Sequence, residues 1–218
     1  MRELTLAQMM KADRYDGYAY SYPHKTSYRE FESPVPLSDA WANEDRENLF
    51  LYTHLPFCEM RCGFCNLFTT VQPDGGLVGR TLEAIERQSE AVADAIRPNG
   101  VSQAAFGGGT PSFLSVEELN QLFDQLEKNW PVDWESIPVS FESSPGTLNP
   151  EKLSFLKEAG VDRLSLGVQS FLREDTIALR RPQRQEELNR ACGEIKDAGF
   201  DVFNIDLIYG AEGQDSER

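Results

Sequence analysis

NLFLYTHLPFCEMRCGFCNLF, residues 48–68, sets a short apolar run directly against three cysteines, Cys58, Cys62 and Cys65. The run NLFLYTH has the length and the aromatic and aliphatic content of a strand, and Pro56 marks its end. A tetrahedral zinc site wants four ligands, often as two separated pairs. Here one loop holds three thiols, and His54 as a fourth ligand would sit at the strand end with no second pair. An open catalytic zinc site is an alternative, although all-thiolate catalytic sets are scarce. A redox Cys-x-x-Cys pair at Cys62 and Cys65 leaves Cys58 without a role. A 4Fe-4S cluster on three thiolates accounts for all of them and leaves one iron open to an outside ligand, such as the amine and carboxylate of an amino acid.

The text on either side of this loop is regular only after it begins. Residues 1–47 are rich in Tyr, Pro, Ser and charge and show no sustained period after LTLAQMM, so they read as an extended N-terminal arm. Downstream, a helix is predicted over roughly Leu77 to Ile96, stopped by Pro98 and Gly100, and then a buried strand, VSQAAF, runs into GGGTPSFL. Ser115 with Glu118 forms a capping box that opens a helix to about Trp130. IPVSFE (137–142) is the third strand; Asn149, Pro150 and Gly160 punctuate the next helix, and RLSLGV (163–168) is the fourth strand. A short helix from Arg173, a longer one from about Gln183 to Ala198 stopped by Gly199, and a strand VFNIDLIY complete the pattern. Strands alternating with helices predict a parallel α/β sheet of the barrel or doubly wound class. The polar ending AEGQDSER offers no strand to cover the last edge, so a fragment is expected, with an edge supplied by a partner as the alternative.

With 218 residues, 40% of them hydrophobic, the chain can bury one core of ordinary size, and its net charge of −15 without a basic run argues against nucleic-acid phosphate as a partner. The N-terminus lacks the apolar stretch of a signal peptide, and there is no run of roughly 18 apolar residues. A cytoplasmic protein with no membrane partner is expected. In a reducing compartment clustered cysteines act more often as ligands or redox groups than as disulfides. The last of the four cysteines, Cys192, lies 127 residues beyond Cys65 in RACGEIK and reads as a small buried core residue.

Ligands of parallel α/β folds bind at the carboxyl ends of the strands. The cysteine loop follows the first strand here, and Gly107, Gly108, Gly109 and Thr110 follow the second. Glu142 ends the third, Gln169 the fourth, and the fifth carries Asp206. Any one of these serves equally well as a turn glycine or a capping acid; five together point to a site. An acid between apolar residues of an expected core strand, as at Asp206, is costly unless paired.

CEMRCGFC is a Cys-x3-Cys-x2-Cys motif with an aromatic residue before the last cysteine, and it resembles the motif of the radical SAM enzymes. With LYTHLPFCEMRCGFC, FGGGTPSFL, ESSPGTL, RLSLGVQSF and NIDLIYG in that order, the chain resembles the oxygen-independent coproporphyrinogen III oxidase (HemN/HemW-type) family over about residues 48–215. That resemblance implies a partial (β/α) parallel barrel, truncated after the fifth strand, over residues 48–218. It implies a 4Fe-4S cluster on Cys58, Cys62 and Cys65 that chelates S-adenosylmethionine and cleaves it to a 5'-deoxyadenosyl radical, which takes a hydrogen atom from substrate. Tyr52 would lie beside that cofactor, Gly108, Gly109 and Thr110 would present backbone groups to its methionine end, and Glu142 would accept from its ribose hydroxyls. A second S-adenosylmethionine would meet Phe64, Gln169, Arg181 and Asp206, with a solvated surface arginine as the alternative for Arg181. The implied partners are a small-molecule substrate, a tetrapyrrole or a related compound, and an electron donor such as flavodoxin or ferredoxin.

One position departs from the pattern. The oxidase usually carries another cysteine two residues after the third, where this chain has Leu67. Relatives without it include a haem-handling chaperone and enzymes that methylate or cyclopropanate their substrates. Haem binding calls for an axial ligand, and His24 and His54 are the two histidines of the chain.

Overall fold

The structure is a computed structural model that describes residues 28–210 and 213–214. The first part of the expected arm, with His24, and most of the AEGQDSER ending lie outside the described residues. Contacts divide the chain after Ala40. In the first unit the described residues include one short helix, α1 (Leu37–Ala40), with no buried side chain, a turn that the arm reading did not anticipate.

The second unit carries the alternation read from the sequence. Strand β1 spans Leu49–Leu55, followed by two short strands, β2 (Phe57–Cys58) and β3 (Thr70–Val71). Then come α2 (Gly75–Ile96), β4 (Val101–Gly108), α3 (Val116–Asn129), β5 (Val139–Ser143) and α4 (Pro150–Glu158). Strand β6 (Arg163–Gln169), α5 (Arg173–Ala178), α6 (Gln185–Ala198) and β7 (Val202–Leu207) complete it. Helix α2 starts two residues before the expected Leu77, because Asp74 caps it by accepting from the Leu77 amide at 2.6 Å. The capping box at Ser115 and Glu118 is present with both of its hydrogen bonds, and Asn149 accepts from the Lys152 amide with Pro150 at the first helical position.

Five strands form one sheet in the order β1-β4-β5-β6-β7, and every neighbouring pair is parallel. A doubly wound sheet reverses its order at a switch point. Here sequence order and spatial order coincide, which is barrel-type winding and decides between the two classes the alternation left open.

Parallel partners point to the same side of a sheet, so register sorts the side chains into two faces. Leu55, Phe106, Phe141, Leu164 and Leu166 are buried on one, in a single cluster with Leu82 of α2, Leu119 and Leu122 of α3, Leu156 of α4 and Ile195 of α6. Phe106 stacks on Phe123 at 4.7 Å and meets Phe141 at 5.7 Å. Each such fully buried side chain contributes about 1.5–3 kcal/mol. The other face is polar: Tyr52 pairs with Ala105 and His54 with Gly107, Glu142 with Ser165, and Ser165 with Asn204.

Strand β7 corrects one expectation. Val202, Ile205 and Leu207 are exposed, and among the described residues β7 pairs with β6 alone. Among the described residues Asp206 is thus an exposed acid, where the sequence reading expected an acid on a core strand. Cys192 is also less buried than expected: it is half-buried and packed against the edge of the core.

Candidate functional site

The cysteine loop is fastened to the carboxyl end of the sheet by backbone hydrogen bonds. The amide of Gly109 donates to Leu55 O at 2.8 Å and that of Thr110 to Phe57 O at 2.7 Å. Thr70 N donates to Pro56 O at 2.7 Å and Gln72 N to Cys58 O at 3.0 Å, which closes the β2–β3 pair beneath the loop. Gly109 is needed where it stands: a Cβ there would lie 2.5 Å from Phe57 O and 3.0 Å from the Cys58 sulfur. At the far side, Gly63 N donates to Leu179 O at 3.1 Å, and a Cβ on Gly63 would come within 2.8 Å of Arg180 Cβ.

All three thiols are free and half-buried, and two of them face donors. Thr110 Oγ1 lies 3.7 Å from Cys58 Sγ, and Arg181 Nη1 lies 3.0 Å from Cys62 Sγ. Burial pushes the Cys58 thiol up, the Thr110 hydroxyl opposes that, and Cys65 and Cys62 act on it as neighbouring charges, so the three groups share one electrostatic site. Cys65 N donates to Cys62 O at 3.2 Å, which folds the last two into a turn. Three thiols on one clamped loop, with a cationic donor and a hydroxyl aimed at their sulfurs, form a donor set that fits an anionic iron–sulfur cluster. Among the described residues no three His, Cys, Asp or Glu side chains converge as ligands of a single metal ion.

Beside this loop lies the polar face. Gly108, at φ 111°, turns the chain out of β4, and its amide donates to Glu142 Oε2 at 3.2 Å. Desolvation raises the Glu142 carboxyl above its usual range, the Gly108 hydrogen bond opposes this, and Asp206 adds to the rise. The Tyr52 hydroxyl lies 3.2 Å from His54 Nδ1, and burial first, then Glu142, raise its pKa. A Cβ on Gly107 would be 3.0 Å from Glu142 Oε2 and 3.1 Å from the Tyr52 hydroxyl. The sequence-predicted residues Tyr52, Gly108, Gly109, Thr110 and Glu142 thus come together with the three cysteines. The amides of Gly108, Gly109 and Thr110 are already committed within the protein, and the Thr110 carbonyl accepts from Phe113 N at 2.9 Å.

The remaining four expected residues divide. Arg181 is no solvated surface group: besides Cys62, its Nη2 donates to Gly167 O at 2.9 Å and to Ser144 Oγ at 3.3 Å. Gln169 ends β6 at φ 70°, and a Cβ on Gly167 would be 3.2 Å from its Nε2 and 3.5 Å from Arg181 Nη2. Asp206 pairs in register with Gly167 and accepts from Asn204 Nδ2 at 2.7 Å. Phe64 is exposed.

Three participants were missed in the sequence. Ser144 Oγ donates to Glu59 Oε1 at 2.7 Å, joining the cysteine loop to the turn after β5. Lys152 is buried, and its Nζ donates to Ser112 O and Thr147 O at 2.5 and 2.9 Å, which ties the turns after β4 and β5 together. The signals were an acid inside the cysteine motif, a serine ahead of Pro-Gly, and a lysine in the first turn of α4; none is distinctive without the fold.

The chain is similar to known proteins. The Radical SAM superfamily profile matches residues 52–218. The chain is 33% identical over 207 residues to the oxygen-independent coproporphyrinogen III oxidase of Salmonella typhimurium, covering 92% of this chain and 45% of that protein. It is 34% identical over 167 residues to the heme chaperone HemW of Bacillus subtilis, covering 75% of this chain and 43% of that one. The solved structure of coproporphyrinogen III oxidase (HemN) from Escherichia coli, a radical SAM enzyme, superposes with a TM-score of 0.80 at 30% identity, over 97% of this chain and 47% of that chain. The chain spans about half the length of the curated relatives it matches.

Proposed function

The chain belongs to the radical SAM superfamily, and from that membership we propose that it cleaves S-adenosylmethionine reductively and turns the resulting radical on a tetrapyrrole or a related small molecule. We take residues 48–218 as the core that does this and residues 1–47 as an extension. The observation that carries the reading is the joining of the Cys58, Cys62 and Cys65 loop to the Gly108–Glu142 contact at one end of the sheet.

Cys58, Cys62 and Cys65 would hold a 4Fe-4S cluster, a cofactor the family implies. When bound, the cluster supplies the electron that breaks the sulfonium of S-adenosylmethionine, giving methionine and a 5'-deoxyadenosyl radical. The protein's part is to bind and to orient. Gly108 and Gly109 would offer carbonyl oxygens to the ammonium of the methionine end, and Thr110 holds the Cys58 side of the loop through its hydroxyl. Glu142 would accept from the ribose hydroxyls, with one oxygen steadied by Gly108 N. Tyr52 would flank the cofactor from β1, kept in place by His54. Gln169, Asp206 and Phe64 would line the place of a second S-adenosylmethionine. Arg181 would reach it only by leaving part of its present hydrogen-bond set. A flavodoxin or ferredoxin would deliver the electron, in the cytoplasm.

A second reading, a haem chaperone, is favoured by Leu67 and by the similarity to HemW. The two separate on one experiment. Decarboxylation of coproporphyrinogen III by the reconstituted, reduced protein supports oxidase chemistry. Stoichiometric haem binding without decarboxylation favours the carrier and removes the oxidase.

A further inference from the structure

We propose that Glu59, acting through the hydroxyl of Ser144, holds the Arg181 guanidinium against the sulfur of Cys62, and that this chain of contacts sets the reduction potential of a cluster bound by the cysteines. The proposal rests on the cluster assignment above and adds to it three residues from three separate segments.

The geometry is directional. Ser144 Oγ donates to Glu59 Oε1 at 2.7 Å, so its lone pairs are left to accept from Arg181 Nη2 at 3.3 Å. That arm also donates to Gly167 O at 2.9 Å, and the other, Nη1, rests 3.0 Å from Cys62 Sγ. A long, flexible arginine is thereby fixed at both ends of its fork. Ser144 is buried, and its own amide receives support from Ser112 Oγ at 3.3 Å, so the relay stands on a rigid turn. Gly146 completes the seat: a Cβ there would be 2.6 Å from Glu59 Oε2. The cysteine loop is thus clamped at two places, through Glu59 on the Gly146 turn and through Gly63 on Leu179 and Arg180.

Hydrogen bonds to the sulfurs are among the factors that set iron–sulfur potentials. A donor on a ligand sulfur stabilises the more electron-rich, reduced state. Loosening Arg181 therefore lowers the potential and makes the cluster harder to reduce. Glu59 and Ser144 touch no sulfur themselves, so they are positioning residues.

The test is the midpoint potential of the anaerobically reconstituted protein, followed by its electron paramagnetic resonance signal. Glu59→Gln and Glu59→Ala both remove the charge, but only the first keeps an acceptor for Ser144. The expected result is a lower potential in Glu59→Ala than in Glu59→Gln, and a lower one in Ser144→Ala than in the parent. Equal potentials for the two Glu59 variants, or no shift in Ser144→Ala, overturn the relay. Should Ser144→Ala fail to fold by circular dichroism, the Glu59 pair decides alone, since that side chain is only half-buried. A parent protein that assembles no cluster overturns the function proposed above, and this inference with it, which is a different outcome from a cluster whose potential is indifferent to Glu59.

Discussion

Gly108 donates its backbone N–H to Oε2 of Glu142 across 3.2 Å, binding the turn after β4 to the end of β5. The carboxylate is held in place at an electrostatic cost: desolvation, opposed by this hydrogen bond and augmented by Asp206, raises the Glu142 pKa above its ordinary 4.5. A carboxyl raised on folding binds more protons folded than unfolded, so its contribution to stability is largest below about 4.5 and is lost as pH rises through the folded value.

Glu142→Gln keeps an acceptor for Gly108 and removes the charge. Urea denaturation as a function of pH should show the variant gaining on the parent as pH climbs from about 4 to 7, while S-adenosylmethionine binding weakens. A parallel pH dependence in both proteins would contradict the assigned strain.

Gly108→Ala should destabilise the protein by about 1–3 kcal/mol, because a φ of 111° is open to glycine and strained for alanine. The new Cβ would also meet the His54 ring at 2.6 Å. Adding His54→Ala should recover the steric part of the loss and leave the backbone part, read by the same denaturation. Full recovery in the double variant would show that the conformation is not strained.

Lys152→Met keeps the length and apolar stem of a buried side chain but leaves Ser112 O and Thr147 O without their donor. A loss of about 1–3 kcal/mol is expected. Hydrogen exchange should speed up at the Pro111–Phe113 and Pro145–Thr147 turns and not in α6. Unchanged exchange at both turns would mean that the lysine does not join them.

Local signals carried the fold well. Ser115 with Glu118, Asn149 with Pro150, and Gly199 at φ 68° act within a few residues of themselves, so their chemistry reads straight from the chain. The choice of a barrel over a doubly wound sheet came only from the resemblance of the motifs, because the alternation itself does not say which strands become neighbours. Asp206 shows the same limit: alternating apolar residues look alike on buried and on exposed strands, and its exposure among the described residues is read from the structure alone. Within the candidate site, spacing singles out the cysteines, and position after a strand singles out the glycines. Glu59 and Ser144 are 85 residues apart and Lys152 lies 40 from Ser112, and no spacing rule connects them.

The central claim is that the three-cysteine loop of this chain supports reductive cleavage of S-adenosylmethionine. Its most direct test is 5'-deoxyadenosine release from the reconstituted, dithionite-reduced protein, beside Cys62→Ala. The account predicts steady formation by the parent and none above background in the variant. Equal release from both, or none from a parent shown to hold its full complement of iron and sulfide, would contradict it.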